Sequence, residues 1–341
     1  MMAQACAVAD PGSVTIARCL NERQRSLAED VLDGLTRPFK ELPPKHFYDA
    51  RGAALFDRIC ELPEYFPART ERTLLGEYAA DLADSTRAVE ILELGSGSAA
   101  KTRVLFDAFL AAGTLERYIP LDVTERAVRD CAAALRDEYP RLRVHGVIGD
   151  FDCHLHRLPP ADGPRLVIFL GGTIGNYPPG SRRRLLRQIA TLLGSEDHLL
   201  LGVGLVTERA LLEAAYDDSA GVTAQFNRNM LQVLNRELDA DFDLDAFEHR
   251  ALFNPDYEWI EMRLRARRAH TAHIRKLDLD IYFEAGEEVR TEISAKFTRA
   301  RMASDLASAG LELTRWLPDV DERFALSVAR RRDPDAQRAT G

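Results

Sequence analysis

The segment VEILELGSGSAAKT, residues 89–102, places a short apolar strand directly before a glycine-rich turn and the start of a helix. Gly95 and Gly97 permit a tight turn and a close approach of the backbone, and the first turn of a helix offers unpaired N–H groups to a ligand. With Ala100 they also satisfy the loose pattern G-x-G-x-x-G/A of dinucleotide-binding loops. The position of this turn between a strand and a helix predicts a nucleotide- or nucleoside-binding loop.

Short apolar runs alternate with helical patterns from Val89 to Val206. The run RLVIFLGG, residues 165–172, is apolar almost throughout, as in a strand that is buried on both faces. A helix is predicted from near Ser181 to near Gly194. The predicted strands are VEILELG, RYIPLDV, RVHGVIGDF, RLVIFLGG and HLLLGVGLV. This alternation predicts an α/β fold with a doubly wound, mostly parallel sheet covered by helices on both faces.

The pattern changes after Val206. Residues 208–238 carry apolar side chains at helical spacing, whereas residues 257–293 repeatedly alternate apolar and polar side chains, which is typical of antiparallel, half-exposed strands. The first pattern then resumes, with a helix over about 298–309 and strands that start at Leu311 and Arg323. We therefore expect a helical and antiparallel insertion, roughly residues 207–296, within the doubly wound domain.

Composition limits the classes of function. The 341 residues carry 45 basic and 54 acidic side chains, a net charge of −9, which does not favour nucleic acid or an anionic membrane as a partner. The longest apolar run, Leu199–Val206, is far shorter than the ~20 residues of a membrane helix. The five cysteines form no CxxC pair, and the N-terminus has no secretory signal pattern. We expect a cytoplasmic protein that acts on small molecules or other proteins.

Acidic residues follow the second and third predicted strands. Asp122 could bind both hydroxyls of a ribose, and Asp150 with Phe151 could bracket an adenine ring, because nucleosides bind at the carboxyl ends of parallel strands. Each aspartate taken alone also fits a solvated loop residue. Together with the glycine turn they make three such features at successive strand ends, which favours a nucleoside site.

The sequence leaves two nucleoside cofactors open. An acidic residue just before the glycines, here Glu93 at two positions before Gly95, is typical of S-adenosylmethionine-dependent methyltransferases, and only Lys101 could partner the pyrophosphate of NAD. The loop GGTIGNYPPG, residues 171–180, follows the fourth strand, where a transferred group would lie. Its Asn176 offers hydrogen-bond donors and an acceptor there, although a plain turn residue would also fit this loop.

Two clusters resemble fragments of metal sites. Cys153, His154 and His156 lie close together in sequence, as do His270 and His273. Neither cluster has a second ligand pair at zinc-site spacing, and the two histidines of the second cluster fit the solvated face of a strand better. We expect no metal site.

Six motifs in order resemble the histidine-specific, S-adenosylmethionine-dependent methyltransferase family, the L-histidine Nα-methyltransferases of ergothioneine biosynthesis. The resemblance runs from about Lys45 to Arg331, nearly the whole of the predicted folded chain. The motifs are YDARGAALFDRICELPEYFPARTE, ELGSGSAAKT, IPLDVT, LGGTIGNYPP, GVTAQFNRN and RTEISAKF.

The resemblance implies a role for each matching residue. S-adenosylmethionine would be held by Gly95, Lys101, Asp122, Asp150 and Phe151. Tyr65 and Asn176 would act in catalysis by contacting the amine of L-histidine, with Asn176 and Tyr216 reaching its carboxylate. The imidazole side of the substrate would meet Tyr48, Met262, Glu292 and Ser294.

The resemblance also implies the domain division and the reaction. A Rossmann-like class I methyltransferase domain would comprise residues 70–206 and 297–331, and a second α+β domain would comprise residues 24–69 and 207–296. Residues 1–23 and 332–341 are expected to be poorly ordered. The implied activity is trimethylation of the α-amine of L-histidine to hercynine with S-adenosylmethionine as methyl donor. Since the sequence has no coiled-coil heptads, we expect a monomer.

Glu292 connects the resemblance to a physical argument. A buried carboxylate is costly without a hydrogen-bond donor, and the N–H of an imidazole would supply one. Without the family match, Glu292 fits an exposed strand residue equally well. Three alternatives stay open: a methyltransferase of another amino acid or amine such as tryptophan, a non-catalytic nucleoside-binding protein, and an NAD-dependent oxidoreductase.

Overall fold

A computed structural model describes residues 12–19 and 25–332. The strands in these two stretches are β1 (Val14–Arg18), β2 (Lys40–Glu41), β3 (Glu90–Leu94), β4 (Arg117–Asp122), β5 (Arg143–Ile148), β6 (Arg165–Phe169), β7 (His198–Gly204), β8 (Phe247–Asn254), β9 (Trp259–Ala266), β10 (His270–Ile274), β11 (Leu279–Phe283), β12 (Glu288–Ala295), β13 (Leu311–Pro318) and β14 (Phe324–Arg331). The α-helices are α1 (Leu27–Leu35), α2 (Ala50–Glu61), α3 (Phe66–Thr86), α4 (Arg103–Ala111), α5 (Glu125–Glu138), α6 (Phe151–His154), α7 (Pro179–Leu192), α8 (Arg209–Tyr216), α9 (Val222–Leu238) and α10 (Arg299–Ser308).

The larger sheet has the strand order β1-β5-β4-β3-β6-β7-β14-β13. The strands from β1 to β7 in this order pair in parallel, and β14 and β13 are antiparallel additions at one edge. Every residue of β3 and β6 is buried, which explains their apolar sequences. This sheet confirms the predicted doubly wound α/β fold. The strand order reverses between β3 and β6, so a crevice for ligands opens at their carboxyl ends.

A second sheet has the order β2-β12-β9-β8, and β10 and β11 form a separate hairpin. One hydrophobic cluster joins side chains from the N-terminal segment, such as Val31 and Phe47, to side chains from the mid-chain insertion, such as Phe226 and Met262. Because these side chains share one core, we propose that the two stretches together form the second domain.

The N-terminal strand β1 differs from the expectation of a poorly ordered terminus over residues 1–23. Val14–Arg18 pairs in parallel with β5 at the edge of the large sheet. The β-branched residues Val14, Thr15 and Ile16 favour an extended chain, and the open edge of β5 supplies hydrogen-bond partners. Residues 1–11, 20–23 and 333–341, which were also expected to be poorly ordered, lie outside the described residues, as does residue 24. Across residues 12–19 and 25–332 no helix has the length and apolar character needed to cross a bilayer.

Candidate active site

The glycine turn after β3 forms an open cradle. Gly95 and Gly97 have φ angles of +73° and +50°, which side-chain-bearing residues rarely adopt. A methyl group added at Gly97 would meet no atom within 4 Å. The buried hydroxyl of Ser96 has no hydrogen-bond partner among the described residues, and buried polar groups normally have one. The cradle therefore has room and an unused polar group for a ligand.

Asp122, at the end of β4, faces this turn. Its carboxylate accepts the backbone N–H of Gly97 at 3.0 Å and that of Thr124 at 2.8 Å. It is half-buried, and a carboxylate offers about four lone-pair sites, so it keeps acceptor capacity for a ribose hydroxyl.

Phe151 lies on the other side of the turn, where β5 gives way to α6. A methyl group added at Gly95 would lie 3.7 Å from the Phe151 ring, which itself packs edge-on against Phe169. The preceding residue, Asp150, caps α6 by accepting the N–H of Asp152 at 2.8 Å. The structure thus brings together the predicted glycine, aspartate and phenylalanine positions around one crevice, and their groups fit a nucleoside.

Glu93, on β3, supports the glycine turn from the protein interior. It is buried and accepts hydrogen bonds from the Thr102 hydroxyl at 2.8 Å and from the Tyr118 hydroxyl. Burial raises the pKa of its carboxyl to about 7. These contacts tie the strand before the turn to the helix after it, so Glu93 shapes the turn from within the core.

Lys101 is engaged by a residue that the sequence analysis did not single out. Its ammonium pairs with Glu71, a fully buried carboxylate on α3. The same carboxylate accepts the N–H of Gly171 at 2.7 Å. A lysine ammonium has three N–H donors, so Lys101 can hold Glu71 and still donate to a ligand.

The loop after β6 contains Asn176 and contacts β12 of the second sheet. Asn176 ends a 3₁₀ turn, Thr173–Asn176, and a methyl group added at the neighbouring Gly175 would lie 2.8 Å from the carbonyl oxygen of Ala295. The backbones are therefore in close contact at the end of β12. Asn176 is half-buried, and its side chain makes no hydrogen bond to the described part of the chain.

An aromatic cleft opens beside this loop. Tyr65, the residue before α3, packs edge-on against Tyr216 with ring centroids 5.9 Å apart, and Tyr48 packs edge-on against Phe226 at 5.8 Å. Asp49 holds the segment of Tyr48 in place by accepting from Asn229 on α9 at 2.8 Å. The residues that line the cleft are Tyr48, Phe56, Ile59, Tyr65, Ala215, Tyr216, Thr223, Phe226, Met262 and Glu292.

Glu292 and Met262 are cross-strand neighbours on β12 and β9. The pairing is irregular between Arg290 and Glu292, and Thr291 at this bulge donates its hydroxyl to Asn227 at 2.6 Å. Bulges redirect side chains and are common beside active sites. Here Glu292 lines the cleft, where burial raises the pKa of its carboxyl to about 7, against the opposing effect of the positive charge of Lys296.

Lys296 is a second residue that the sequence analysis missed. It is buried and donates to the Ser294 hydroxyl at 2.8 Å and to the Tyr216 hydroxyl at 3.0 Å, and those two hydroxyls are 2.8 Å apart. The signal was available, because Glu292, Ser294 and Lys296 recur at period two in TEISAKF, and alternate strand residues share a face.

The two candidate metal clusters are engaged in other contacts. His154 accepts the backbone N–H of Asp150 at 2.9 Å, and His273 is exposed and pairs with Asp280. Over residues 12–19 and 25–332, no group of three or more His, Cys, Asp or Glu side chains is arranged to hold a metal ion.

Comparison with known proteins adds the family. Residues 27–331 match the model of the family described as histidine-specific methyltransferase, SAM-dependent. The chain is 50% identical over 304 residues to histidine N-alpha-methyltransferase of Mycolicibacterium smegmatis, covering 89% of this chain and 94% of that protein. It is 46% identical over 318 residues to histidine N-alpha-methyltransferase of Mycobacterium tuberculosis, covering 93% and 99%.

A more distant relative is ergothioneine biosynthesis protein 1 of Schizosaccharomyces pombe, which is 29% identical over 228 residues. That match covers 63% of this chain and 29% of the fungal protein. The family model spans both the nucleoside crevice and the aromatic cleft. The chain therefore belongs to the family of histidine-specific, S-adenosylmethionine-dependent methyltransferases.

Proposed function

We propose that this enzyme transfers three methyl groups in succession from S-adenosylmethionine to the α-amine of L-histidine and produces hercynine, the first step of ergothioneine biosynthesis. The observation that carries the proposal is the placement of Glu292 and Ser294 on one face of β12, in and beside an aromatic cleft next to the nucleoside crevice. This placement supports recognition of an imidazole ring, and the two relatives named for histidine methylation align over nearly their whole length.

The crevice residues suit the methyl donor. Asp122 would accept from its ribose hydroxyls, Phe151 would lie against the adenine, and Lys101 would donate to its carboxylate. When bound, S-adenosylmethionine supplies a methyl group that its sulfonium already activates. The remaining task of the chain is alignment, which can contribute about 7–11 kcal/mol through proximity and orientation.

The amine of the substrate must be neutral to attack. Free α-amines titrate near pH ~8, so partial desolvation and a nearby positive charge suffice to deprotonate one. Burial raises the pKa of Tyr65 and of Tyr48, which keeps both phenols protonated. Neither phenol therefore acts as a base. Tyr65 orients the amine together with Asn176, and Tyr48 lies on the imidazole side of the substrate. Aromatic rings around the amine also favour its increasingly methylated, cationic forms.

The wall of the cleft discriminates among substrates. An ionised Glu292 needs a donor from the ligand, and a substrate side chain without one would leave this half-buried charge unpaired. Mismatches of this kind can reject an analogue by ~10⁴–10⁵. Tryptophan has one indole N–H and no bare ring nitrogen, so it could donate to Glu292 but could not accept a hydrogen bond from Ser294.

Mass spectrometry of L-histidine incubated with the protein and methyl-deuterated S-adenosylmethionine tests the proposal. Stepwise gains of one, two and three labelled methyl groups on the amine are expected. Absence of label in histidine overturns the proposal, and label in tryptophan but not in histidine would assign the protein to the alternative substrate. Glu292→Ala in the same assay should lower the preference for histidine over other amino acids.

We further propose that the enzyme works as a cytoplasmic monomer and without a metal ion. The described residues offer no clustered metal ligands, and the nucleoside crevice and the cleft are both built from one chain. Light scattering at the concentration of the activity assay tests the monomeric state, activity in the presence of EDTA tests the independence of metal ions, and fractionation of cells that express the protein tests its location.

A further inference from the structure

Lys296 is a buried charge with an unusual set of partners. Its side chain lies where β12 ends, against Gly204 at the end of β7, and the residue is 3% exposed. Within residues 12–19 and 25–332, no carboxylate lies at ion-pair distance from its ammonium, whose hydrogen bonds go to the hydroxyls of Ser294 and Tyr216. Buried charges are normally paired, so this arrangement calls for a reason beyond packing.

The hydrogens of Lys296, Ser294 and Tyr216 can be counted to show which of these groups donates to a ligand. A lysine ammonium only donates, so both hydroxyl oxygens accept from Lys296. Ser294 and Tyr216 are also within 2.8 Å of each other, and this contact uses the hydrogen of one hydroxyl. The other hydroxyl hydrogen has no acceptor among the described residues. The cluster of Ser294, Tyr216 and Lys296, here called the hydroxyl–lysine cluster, therefore presents a donor to a ligand.

Glu292 presents the opposite polarity on the same wall. It lies two residues before Ser294 on the same face of β12 and lines the cleft together with Tyr216. When ionised, its carboxylate only accepts hydrogen bonds. The wall thus offers an acceptor beside a donor, and the ring that complements both carries one N–H and one bare nitrogen.

We propose that Lys296 is a specificity-determining positioning residue, which orients the hydroxyls of Ser294 and Tyr216 so that the cleft selects a ring with one N–H and one bare nitrogen. This inference rests on the proposed function, because the ring is taken to be that of an amino acid substrate. Without the ammonium, either hydroxyl is free to turn and accept, and the cluster no longer favours a bare nitrogen over other ring atoms.

Binding of ring analogues tests this role. The ligands are L-histidine; 4-thiazolylalanine and 5-thiazolylalanine, each of which keeps one bare nitrogen and no N–H; and 2-thienylalanine, which has neither. Calorimetry with S-adenosylhomocysteine present measures their dissociation constants for the wild type, Lys296→Met and Lys296→Arg. Lys276→Met, a change at an exposed lysine whose ammonium hydrogen-bonds the carbonyl oxygen of Glu237, is the matched control.

Lys296→Met should lower the affinity for histidine, and for the better-binding thiazolyl isomer, by about tenfold to a hundredfold. This is the range for the loss of a hydrogen bond to a buried group. It should leave 2-thienylalanine unchanged, and Lys296→Arg should restore part of the loss. An equal loss for all three rings, or no loss for histidine, overturns the inference. If Lys296→Met does not fold, Lys296→Gln replaces it, because an amide accepts as well as donates and so no longer forces both hydroxyls to accept. This variant must lower the same preference for a ring nitrogen, and an intact preference overturns the inference.

The two proposals fail separately. A wild-type protein that does not methylate histidine overturns the proposed function. A wild-type protein that methylates histidine, combined with a Lys296→Met variant that loses affinity for every ring alike, overturns only the role of Lys296.

Discussion

The buried carboxylate of Glu71 pairs with the ammonium of Lys101 and at the same time accepts the backbone N–H of Gly171 at 2.7 Å. Glu71 belongs to α3, the helix that begins directly after Tyr65 in the aromatic cleft. One carboxylate thereby connects the glycine turn, the loop that leads to Asn176 and the helix that places Tyr65. Glu71 therefore links the nucleoside crevice to the aromatic cleft through two contacts in the interior.

Glu71→Gln should destabilise the protein. The amide can still accept from Gly171, but it leaves the ammonium of Lys101 without its counter-charge in a largely buried setting. Breaking a buried pair costs about 3–5 kcal/mol, and the partial exposure of Lys101 lowers our expectation to about 2–3 kcal/mol. Urea denaturation followed by circular dichroism measures the change.

Asp130→Asn is the control for this experiment. It removes a carboxylate from an exposed pair with Arg126, and such pairs contribute only about 0–1 kcal/mol. A Glu71→Gln variant as stable as Asp130→Asn would contradict a structural role for the buried pair.

Asp122→Asn should weaken binding of S-adenosylhomocysteine. The amide carries one acceptor oxygen in place of two, so it cannot hold the N–H of Gly97 and that of Thr124 and also accept from a ribose. Hydrogen bonds to charged groups contribute about 1.5–3 kcal/mol, which corresponds to an affinity loss of about tenfold to a hundredfold. Calorimetry measures the dissociation constant, and Asp137→Asn, on the exposed face of α5, should bind as the wild type does.

Glu292→Gln should stabilise the unliganded protein at alkaline pH. Since burial raises the pKa of Glu292 to about 7, the fold favours the protonated carboxyl, and this contribution is present below pH ~4.5 and lost as the pH rises through ~7. Glutamine does not titrate, so the stability difference between variant and wild type should grow by about 2–3 kcal/mol from pH 5 to pH 8.

Urea denaturation at the two pH values tests this, because the other titrating groups cancel between variant and wild type. Met262→Leu, an uncharged change at the cross-strand neighbour, should alter stability equally at both. A Glu292→Gln effect of the same size at pH 5 and pH 8 would show that the carboxyl is not held in a costly environment. The same variant should lose affinity for histidine.

Gly175→Ala should impair catalysis. The added methyl group would lie 2.8 Å from the carbonyl oxygen of Ala295, so the loop that carries Asn176 must move away from β12. Overpacking of this kind costs about 1–3 kcal/mol. We expect a lower kcat and a higher KM for histidine, with little change in the affinity for S-adenosylhomocysteine.

Gly180→Ala, five residues later at the start of α7, is the matched control. A methyl group there meets no atom within 4 Å, and alanine suits a helix better than glycine. Its steady-state rates should equal those of the wild type. Equal rates in Gly175→Ala would mean that the close contact with β12 does not position Asn176.

The main strands were predictable because their signal is local. β3, β4, β5, β6 and β7 are apolar runs bounded by turns, and burial on both faces requires such runs. β8, at Phe247–Asn254, was not predicted: its sequence FEHRALFN has no clean alternation, and it is a strand because β9 supplies the partner along its whole length.

The sequence by itself determined the parallel sheet, the glycine turn and, through ordered motifs, the family, because these depend on residue pattern along the chain. Tertiary structure decided what no local pattern encodes. The bulge at Thr291 sets the path of β12 beside Glu292, Glu71 reaches Lys101 across 30 residues, and Lys296 meets Tyr216 across 80. The physical reason is that a buried charge is stable only when it has suitable hydrogen-bond or ion-pair partners. Those partners become neighbours only when distant segments of the chain pack together.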